Sequence, residues 1–260
     1  MKYPFHFLRT WIHPTPWPAE SFVIPKFQSH RGYHTEGIQE NTLAALTEAR
    51  LRGAEMCEFD VQLTSEKTPV LFHDADLTKF TGEKKPLSSF SLSDLRAKFP
   101  ITTLQEALES PLAPRFFNIE LKTNQLDGYL SQQVAELIKQ LNSEHRVMFS
   151  SFNPFALFLV SEFLPNVPRA LLVTKEVSKE NAWYLREMAF APLLKIHMLN
   201  LDQEMLTPDE IQFWKQQQMP LSVWTVNDPN KINGFLEQGI SSVISDLDPA
   251  LIATLVDKIA

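Results

Sequence analysis

The chain has 260 residues, of which 44% are hydrophobic, and its formal net charge at pH 7 is −7. This length suffices for one substantial core, and a single α/β barrel typically occupies about 250 residues. The acidic balance argues against nucleic-acid binding, which depends on many basic contacts to phosphate. A small anionic substrate is still compatible, because a local metal ion and a few cationic side chains outweigh a diffuse negative surface.

Residues 1–20 form a predicted N-terminal extension that is rich in aromatic residues and proline. Polar residues and proline interrupt its apolar stretch, so it does not resemble a secretory signal. No run in the chain approaches the ~20 apolar residues of a membrane span. We expect its rings to pack along the main domain; the alternative is peripheral contact with a membrane interface, where Trp and Tyr are enriched. The aromatic residues are Tyr3, Phe5, Phe7, Trp11 and Trp17.

The single cysteine, Cys57, excludes an intrachain disulfide. A chain without disulfides suits a reducing compartment, and since no secretory signal is seen, the expected location is the cytoplasm. Cys57 lies in the apolar approach to Glu58, and no histidine pairs obviously with it. We therefore interpret it as a packed core thiol and not as a nucleophile.

Residues 21–260 form one predicted domain in which short strand-like runs alternate with helical patterns. In the first helical stretch, Thr42–Arg52, apolar residues keep helical spacing, with Asn41 as the predicted N-cap and Gly53 as the stop. Eight strands alternating with helices predict an α/β fold, the (β/α)8 TIM barrel. The predicted strands are Phe22–Gln28, Met56–Val61, Phe116–Leu121, Val147–Ser150, Ala170–Val173, Leu194–Met198, Leu221–Val226 and Ser242–Ser245.

One further run, Pro69–His73, follows the Met56–Val61 strand very closely. The residues between them, Gln62–Thr68, are too few for a helical crossover to a parallel strand. A short β-hairpin after the second strand is therefore expected. Its pairing would bring His73 back to about the level of Asp60, at the end of the barrel where the strands finish.

Two pairs of charged residues, each with one residue between its members, are the most informative local pattern. Glu58 and Asp60 lie near the end of the second predicted strand, and Glu120 and Lys122 end the third. Residues i and i+2 of a strand point to the same face, and active sites of such barrels lie at the C-terminal strand ends. Three carboxylates and an ammonium group should therefore converge, which suits a hard cation and phosphate oxygens.

These pairs also have simpler interpretations. Glu120 and Lys122 alone would most simply form a same-face salt bridge. Glu58 and Asp60 could be solvated carboxylates, but strands of a parallel barrel are buried on both faces, and two buried like charges need a counter-cation. Either a cationic side chain or a metal ion could serve.

Several other polar residues fall at predicted strand ends. By itself, His30 is most simply a hydrogen-bonded core histidine, and His73 with Asp74 is most simply a turn. Trp224 is more often a core residue than a substrate contact. His197, at the border of the sixth strand, could be either a core residue or a site residue.

The ordered set of these residues is more specific than any one of them. The segment HRGYHTEGIQENTLAAL, which starts at His30, is followed by EFDVQLTSEKTPVLFHDADLTKFTG, ITTLQEALE and FFNIELKT. Together they resemble the glycerophosphodiester phosphodiesterase family. The resemblance continues more weakly through Ser150-Ser151-Phe152, VWTVND and VISD, and it covers about residues 25–250.

The resemblance implies a (β/α)8 barrel with one divalent ion, Mg²⁺ or Ca²⁺, at its mouth. Matched by motif, the metal ligands would be Glu58, Asp60 and Glu120, and the general acid and general base would be His30 and His73. Which histidine is the acid stays open at this point, as does the nucleophile, which is either water or a hydroxyl of the substrate.

The same match implies that Arg31 and Lys122 bind the phosphate. Trp224, at the end of the seventh predicted strand, is a further candidate for binding the substrate. Glu40 would support the site through Arg31, while Asn41 keeps its structural role at the start of a helix. The expected partner is a small-molecule glycerophosphodiester, with no nucleic acid and no transmembrane segment. The sequence specifies no oligomeric state.

The resemblance implies metal-dependent hydrolysis of glycerophosphodiesters to glycerol 3-phosphate and an alcohol. A related alternative is a lysophospholipase D that acts on lipid-tailed substrates, for which the aromatic extension and Phe152, Phe155 and Phe158 would suit an acyl chain. A third alternative, of another class, is a non-catalytic barrel that binds phosphodiesters or phospholipids. It is disfavoured because both histidines and all three candidate ligands occur together.

Overall fold

Short strands rich in Val, Ile, Leu and Phe form the centre of the protein in the computed structural model, which describes residues 6–178 and 181–256. Strand β4, Phe116–Leu121, is buried along its whole length, as expected for a parallel strand that is covered on both faces. The other strands are β1 Phe27–His30, β2 Met56–Leu63, β3 Pro69–Leu71, β5 Val147–Ser151, β6 Arg169–Val173, β7 Met198–Asp202, β8 Leu221–Trp224 and β9 Ser242–Ser245.

Eight of these strands are parallel and close into a barrel. Strand β1 pairs with β2 on one side and with β9 on the other. Around the rest of the barrel, the neighbours follow the order β2, β4, β5, β6, β7, β8 and β9. The predicted (β/α)8 TIM barrel is therefore confirmed, with β3 as one extra strand.

Helices cover the outside of the barrel. The α-helices are α1 His6–Arg9, α2 Leu43–Leu51, α3 Thr78–Thr81, α4 Leu92–Arg96, α5 Leu104–Glu109, α6 Tyr129–Gln140, α7 Pro154–Phe163, α8 Trp183–Arg186, α9 Pro208–Gln216, α10 Pro229–Glu237 and α11 Pro249–Val256. Short 3₁₀ helices span Leu87–Ser89, Glu144–Arg146, Ala191–Leu193 and Gln203–Met205. Several α-helices begin at side-chain caps, such as the capping box that Thr103 and Glu106 form at α5.

The hairpin after the second strand is present as predicted. Strand β3 pairs antiparallel with β2, so that Leu71 lies opposite Val61. The backbone N–H of Phe72 then donates to the carbonyl oxygen of Asp60 at 3.0 Å. His73 follows directly, and the chain therefore returns it to the level of Asp60.

The first strand begins at Phe27 and not at Phe22, so the predicted range Phe22–Gln28 is wrong by several residues. Phe22 instead stacks on Phe116, with ring centroids 4.5 Å apart. Pro25 cannot donate to a strand ladder, which favours a start beyond it. Phe22 and the partly buried Ile24 of this run pack under the barrel, whereas Val23 is exposed. The cluster that closes this end also contains Met56, Met148, Ala170 and Met198.

The sixth barrel strand, β7, was also predicted too early, at Leu194–Met198. Leu194 caps the 3₁₀ helix Ala191–Leu193, and Lys195 has a φ of 47°, which takes the backbone out of the extended conformation. Leu194 and Ile196 are buried all the same. Their apolar character reflects packing before the strand begins, and the strand itself starts at Met198.

This shift places His197 just before β7, at the end of the barrel opposite the C-terminal strand ends. Its Nδ1 accepts a hydrogen bond from the backbone N–H of Arg169 at 3.0 Å. The ring packs edge-on against Trp17, with centroids 6.0 Å apart. His197 is therefore a buried core histidine.

We expect His197 to make folding stability sensitive to pH. Burial, reinforced by the nearby Arg169, lowers the pKa of His197 to about 4, while the unfolded value is about 6.5. As the pH falls, the unfolded state therefore binds a proton before the folded state does. The stability that depends on a neutral His197 is complete above pH 6.5 and is lost as the pH falls toward 4. Between pH 7.5 and pH 5 the loss amounts to about 2 kcal/mol.

Urea unfolding of the wild type and of His197→Asn at these two pH values measures the effect. Asparagine keeps an acceptor near the N–H of Arg169 without titrating, so the variant should lose about 2 kcal/mol less on acidification. The exposed His145, replaced by Asn, is the control and should behave as the wild type. Equal losses in all three proteins would exclude the contribution of His197.

The N-terminal segment packs on the barrel along part of its length. Ile12 is fully buried, and the indole N–H of Trp17 donates to the carbonyl oxygen of Phe22 at 2.7 Å. Trp11, by contrast, is 68% exposed, so its ring is not covered as expected. The positions of Tyr3 and Phe5 and the side chain of Phe7 lie outside the described residues. Within the described ranges, no helix is long and apolar enough to cross a membrane.

Candidate active site

Three carboxylates meet at the C-terminal ends of β2 and β4. Asp60 lies opposite Glu120 in the parallel register of the two strands, and Glu58 precedes Asp60 on the same face. One oxygen from each of the three residues lies within 4.8 Å of the others, and all three residues are buried. The two spaced pairs of the sequence therefore do converge.

Two cationic side chains are set into this cluster. The Nζ of Lys122 lies 2.9 Å from Oδ1 of Asp60 and 3.7 Å from Oε1 of Glu120. The Nε of Arg31 lies 3.3 Å from Oδ2 of Asp60, and the backbone N–H of Arg31 donates to Oε2 of Glu58 at 3.3 Å. Asp60 therefore contacts both cationic side chains. The negative charges of Glu58 and Glu120 are compensated less fully.

A tight turn after β1 brings Arg31 into position. Arg31 and Gly32 have φ values of 55° and 75°, in the left-handed region that glycine adopts without strain. A Cβ on Gly32 would lie 2.7 Å from the carbonyl carbon of Ala45, so the chain also needs glycine for its close approach to α2. This requirement explains the glycine that follows His30 and Arg31.

Asn41 belongs to the site, and its predicted role as N-cap is wrong. The cap of α2 is Thr42, whose Oγ1 accepts a hydrogen bond from the N–H of Ala45 at 3.2 Å. The amide of Asn41 instead donates to Oδ2 of Asp60 at 2.9 Å and accepts from the backbone N–H of Asp60 at 3.1 Å. Its φ of 57° turns the chain before the helix and aims the side chain at the strand end.

Glu40 links the guanidinium of Arg31 to the rim. Its carboxylate lies 3.2 Å from Nη1 of Arg31 and accepts a hydrogen bond from Nζ of Lys79 at 3.1 Å. These contacts outweigh the effect of burial and lower the pKa of Glu40. An ionised Glu40 thereby holds the guanidinium of Arg31 in the plane that faces Asp60.

His30 is oriented by a carboxylate from the opposite end of the chain. Its Nδ1 lies 2.6 Å from Oδ1 of Asp246, and its Nε2 lies 3.9 Å from Oε2 of Glu58. Asn227 in turn donates from Nδ2 to Oδ2 of Asp246 at 2.7 Å and accepts the backbone N–H of Asp246. Burial opposes ionisation of Asp246, but the contact with His30 outweighs it and lowers its pKa to about 2. An ionised carboxylate only accepts hydrogen bonds, so Nδ1 of His30 carries the proton and Nε2 faces the carboxylate cluster.

His73 has a similar arrangement on the other side. Its Nδ1 lies 2.9 Å from Oδ1 of Asp74. The side-chain amide of Gln62 donates to the carbonyl oxygens of Phe72, His73 and Asp74 at 2.9–3.2 Å and so fixes the segment that carries the ring. Burial is the main cause that lowers the pKa of His73. A neutral imidazole suited to accepting a proton is the result.

Asp246, Asn227 and Gln62 were missed as functional residues from the sequence. Asn227 and Asp246 directly follow the predicted strands Leu221–Val226 and Ser242–Ser245, which is the available signal, but nothing in the sequence connects them to His30. For Gln62, the signal is its position two residues after Asp60, on the same face of the strand. Its three acceptors become visible only once the hairpin is built.

Trp224 lies at the mouth, at the end of β8, which is separated from β1 by β9. Its indole N–H donates to the carbonyl oxygen of Asn200 at 3.0 Å, and its ring meets Phe152 edge-on with centroids 5.5 Å apart. Both rings are partly exposed. The mouth therefore carries two contacting aromatic side chains in addition to its charged cluster.

The carboxylate cluster needs a counter-cation. Burial, followed by repulsion from Asp60 and Glu120, raises the pKa of Glu58 well above its usual value. Burial is also the main cause that raises the pKa of Glu120 to about 7. Burial acts on Asp60 in the same direction, but Lys122 and Arg31 outweigh it and lower its pKa.

These residues fit a divalent metal ion. Three oxygen donors that lie close together and are buried are the ligand type that Mg²⁺ and Ca²⁺ prefer. Their three negative charges exceed the two positive charges of Arg31 and Lys122 by one. A divalent ion would leave the group with one net positive charge, which matches the single negative charge of a phosphodiester.

The fold and this site define a TIM barrel with two histidines beside a buried carboxylate cluster at the C-terminal strand ends. Residues 30–247 match the model of the glycerophosphoryl diester phosphodiesterase family. The chain therefore belongs to this family and is a phosphoric diester hydrolase. The family resemblance stated from the sequence is thereby confirmed.

Relatives agree over nearly the whole chain. A glycerophosphodiester phosphodiesterase of Caldanaerobacter subterraneus subsp. tengcongensis is 28% identical over 244 residues, which cover 88% of this chain and 97% of the relative. Among solved structures, a phosphodiesterase of Oleispira antarctica in complex with the product sn-glycerol-3-phosphate superposes with a TM-score of 0.78 at 27% identity. The match covers 90% of this chain and 97% of that one.

A second group of relatives matches a smaller part. The lysophospholipase D GDPD1 of Rattus norvegicus is 32% identical over 142 residues, which are 47% of this chain and 44% of the relative. This match covers about half of each protein, whereas the bacterial match spans both nearly completely.

Proposed function

We propose that the protein hydrolyses glycerophosphodiesters to glycerol 3-phosphate and an alcohol with the help of one divalent metal ion. The observation that carries the proposal is the placement of His30 and His73, each bonded through Nδ1 to a carboxylate, beside the cluster of Glu58, Asp60 and Glu120. The phosphodiesterase of Oleispira antarctica that binds sn-glycerol-3-phosphate supports the product assignment.

In this proposal Glu58, Asp60 and Glu120 hold the metal ion. When bound, the ion would neutralise the charge that develops on the phosphoryl oxygens. Arg31 and Lys122 bind the phosphate from the same side, because both are already held there by Asp60. Glu40 supports Arg31, Asn41 supports Asp60, and Trp224 lines the substrate mouth.

The two histidines move the protons. His73, whose pKa is lowered by burial, accepts the proton of the attacking hydroxyl or water. His30, protonated on both nitrogens before this step, donates the proton of Nε2 to the leaving oxygen as its bond to phosphorus breaks, and Asp246 keeps hold of Nδ1–H. Each such proton transfer raises the rate of hydrolysis about 10²- to 10⁴-fold. Together they let a poor leaving group depart as a neutral alcohol.

Replacement of Asp246 by Asn should lower kcat about 10- to 100-fold and leave KM nearly unchanged, because Asp246 orients His30 without touching the substrate. The loss should shrink for a substrate whose leaving group is a nitrophenolate, which needs no proton. Turnover of glycerophosphocholine and of a nitrophenyl phosphodiester, compared in both proteins, measures this. Equal losses with both substrates would contradict the assignment of His30 as the acid.

The experiment that tests the proposed function is turnover of a panel of glycerophosphodiesters and lysophospholipids with Mg²⁺ or Ca²⁺ supplied. We expect glycerophosphocholine or a related water-soluble diester to be hydrolysed with release of glycerol 3-phosphate. Turnover of lysophospholipids alone would favour the second candidate, a lysophospholipase D. That candidate draws its support from the partial match to GDPD1 and from the partly exposed rings of Phe152 and Trp224 at the mouth.

A non-catalytic barrel would bind these compounds without converting any of them. In that case, no member of the panel would be hydrolysed under any metal condition. The presence of both histidines, each with its own carboxylate partner, favours the enzyme.

A further inference from the structure

The faces of neighbouring strands show which side chains fill the barrel beneath the carboxylates. Residues paired across parallel strands point to the same face. Glu58 pairs with Asn118, and Asp60 pairs with Glu120, which pairs in turn with Ser150. Asn118 and Ser150 therefore point into the barrel, as the three carboxylates do.

The same reasoning continues around the barrel. Ser150 pairs with Ala170, and Leu172, two residues further on, pairs with Asn200. Asn200 then pairs with Ser222. Asn200 and Ser222 therefore also point inward, on the side of the barrel opposite β2.

In a TIM barrel, inward side chains stack in layers of four that come from alternate strands. The registers place Glu58 in a layer with Ser150, Asn200 and Ile244. The layer below contains Gln28, Asn118, Ala170 and Ser222, and the floor contains Met56, Met148, Met198 and Ser242. The two middle layers are thus largely polar, between an apolar floor and the charged mouth.

Several polar atoms of these middle layers lack a protein partner. Among the described residues, none forms a hydrogen bond with Oδ1 of Asn118, Oγ of Ser150, either amide atom of Asn200, or Oγ of Ser222. None of the four residues is more than 1% exposed. Buried polar atoms left unpaired are costly, and five of them together would offset a large share of the stability of a domain.

Neighbouring polar side chains of the same interior are satisfied by the protein. Gln28 donates from Nε2 to Oγ of Ser242 at 3.0 Å and accepts from Nδ2 of Asn118 at 2.9 Å. Oγ of Ser242 donates to the carbonyl oxygen of Pro25 at 2.7 Å. The unpaired atoms therefore belong to Ser150 and Asn200, which are level with Glu58, and to Asn118 and Ser222, in the layer of Ala170 below it.

We infer that this region binds a cluster of ordered water molecules held by Asn118, Ser150, Asn200 and Ser222. Asn200 presents both a donor and an acceptor, which water satisfies and a cation does not. A buried water makes about three hydrogen bonds, so about two waters satisfy the five atoms. The cluster is polar enough and has enough partners to retain solvent.

The water cluster supports the metal site from below. Glu58 shares its layer with Ser150 and Asn200, so these waters solvate the underside of its carboxylate. Partners behind a metal ligand commonly change metal affinity 10- to 100-fold. This link rests on the metal site proposed above, whereas the binding of water does not.

A high-resolution crystal structure of the wild type, with and without a rubidium soak, tests the inference. We expect solvent peaks at hydrogen-bond distance from Asn118, Ser150, Asn200 and Ser222, unchanged by rubidium. The inference is overturned by direct bonds among these four side chains with no solvent between them. Anomalous rubidium peaks in the region would overturn it as well, because they would identify a monovalent cation site.

The variant Asn200→Leu has similar volume but no polar side-chain atoms. Its solvent peaks beside residue 200 should disappear, and its affinity for Mn²⁺, measured by titration calorimetry, should fall about tenfold. The control is Ser131→Ala, which removes a buried hydroxyl bonded to Ala156 outside the barrel, and it should bind Mn²⁺ as the wild type does. Retained peaks or unchanged affinity in Asn200→Leu would contradict the inference. A wild type that binds no Mn²⁺ would instead refute the metal site, while the solvent peaks still decide the inference.

Discussion

Replacement of His30 or His73 by alanine should lower kcat by about 10²–10⁴ while leaving the fold intact. Each ring lies at the mouth of the barrel, bonded to one carboxylate, and each side chain is partly exposed, at 18% for His30 and 32% for His73. Removing either therefore takes away one proton transfer without opening a cavity in the core. Steady-state turnover of glycerophosphocholine and the melting temperature of each variant provide the measurement.

The matched control for these variants is His145→Ala. His145 is exposed and lies in the 3₁₀ helix Glu144–Arg146, which precedes β5 at the end of the barrel opposite the strand C-termini. It should turn over substrate at the wild-type rate. If both His30→Ala and His73→Ala keep wild-type activity, the acid–base mechanism is wrong.

Neutral replacements of Glu120 and Asp60 should change the stability of the metal-free protein in opposite directions. Burial raises the pKa of Glu120 to about 7, so at pH 8 the metal-free fold holds it ionised against its preference. Glu120→Gln should therefore stabilise the metal-free protein at pH 8 by roughly 1–3 kcal/mol, while metal-dependent activity is lost. Its stabilising effect should fade as the pH falls below 7, since the folded wild type then binds the proton itself.

Asp60→Asn should have the opposite effect on stability. Lys122 and Arg31 lower the pKa of Asp60, so the fold favours its ionised form and both cations depend on it. Removing this charge should destabilise the protein by roughly 3 kcal/mol and abolish activity. Urea unfolding of both variants after chelation gives the comparison, and the same sign of change in both would contradict the charge arrangement described here.

Much of the site could be predicted because its parts are local in sequence. The i, i+2 spacing fixed the common face of Glu58 and Asp60, and a connection too short for a crossover predicted the hairpin that returns His73. In both cases, the geometry follows from the strand repeat and from chain length. Neither depends on how distant elements pack.

The wrong strand boundaries lie where apolar residues are buried without forming a strand. Phe22, Leu194 and Ile196 are buried, but they pack under the barrel or before β7 without joining the sheet. Hydrophobic periodicity indicates burial, but it does not distinguish residues of a buried strand from buried residues outside the sheet. Asn41 was assigned to a cap because asparagine is common there, yet Thr42 takes the cap and Asn41 bonds to Asp60, 19 residues away.

The remaining functional residues depend on closure of the barrel. His30 and Asp246 are separated by 216 positions and meet because β1 pairs with β9. The water-binding layers under Glu58 similarly follow from the register of all eight strands. A sequence read on its own cannot specify these pairings, because each strand is short and its register is set by its neighbours.

The most direct test of the central claim is ³¹P NMR of glycerophosphocholine turnover before and after exhaustive chelation. We predict that the diester resonance is replaced by that of glycerol 3-phosphate, that chelation stops the conversion, and that Mg²⁺ or Ca²⁺ restores it. Full conversion by the chelated protein would contradict the metal site formed by Glu58, Asp60 and Glu120.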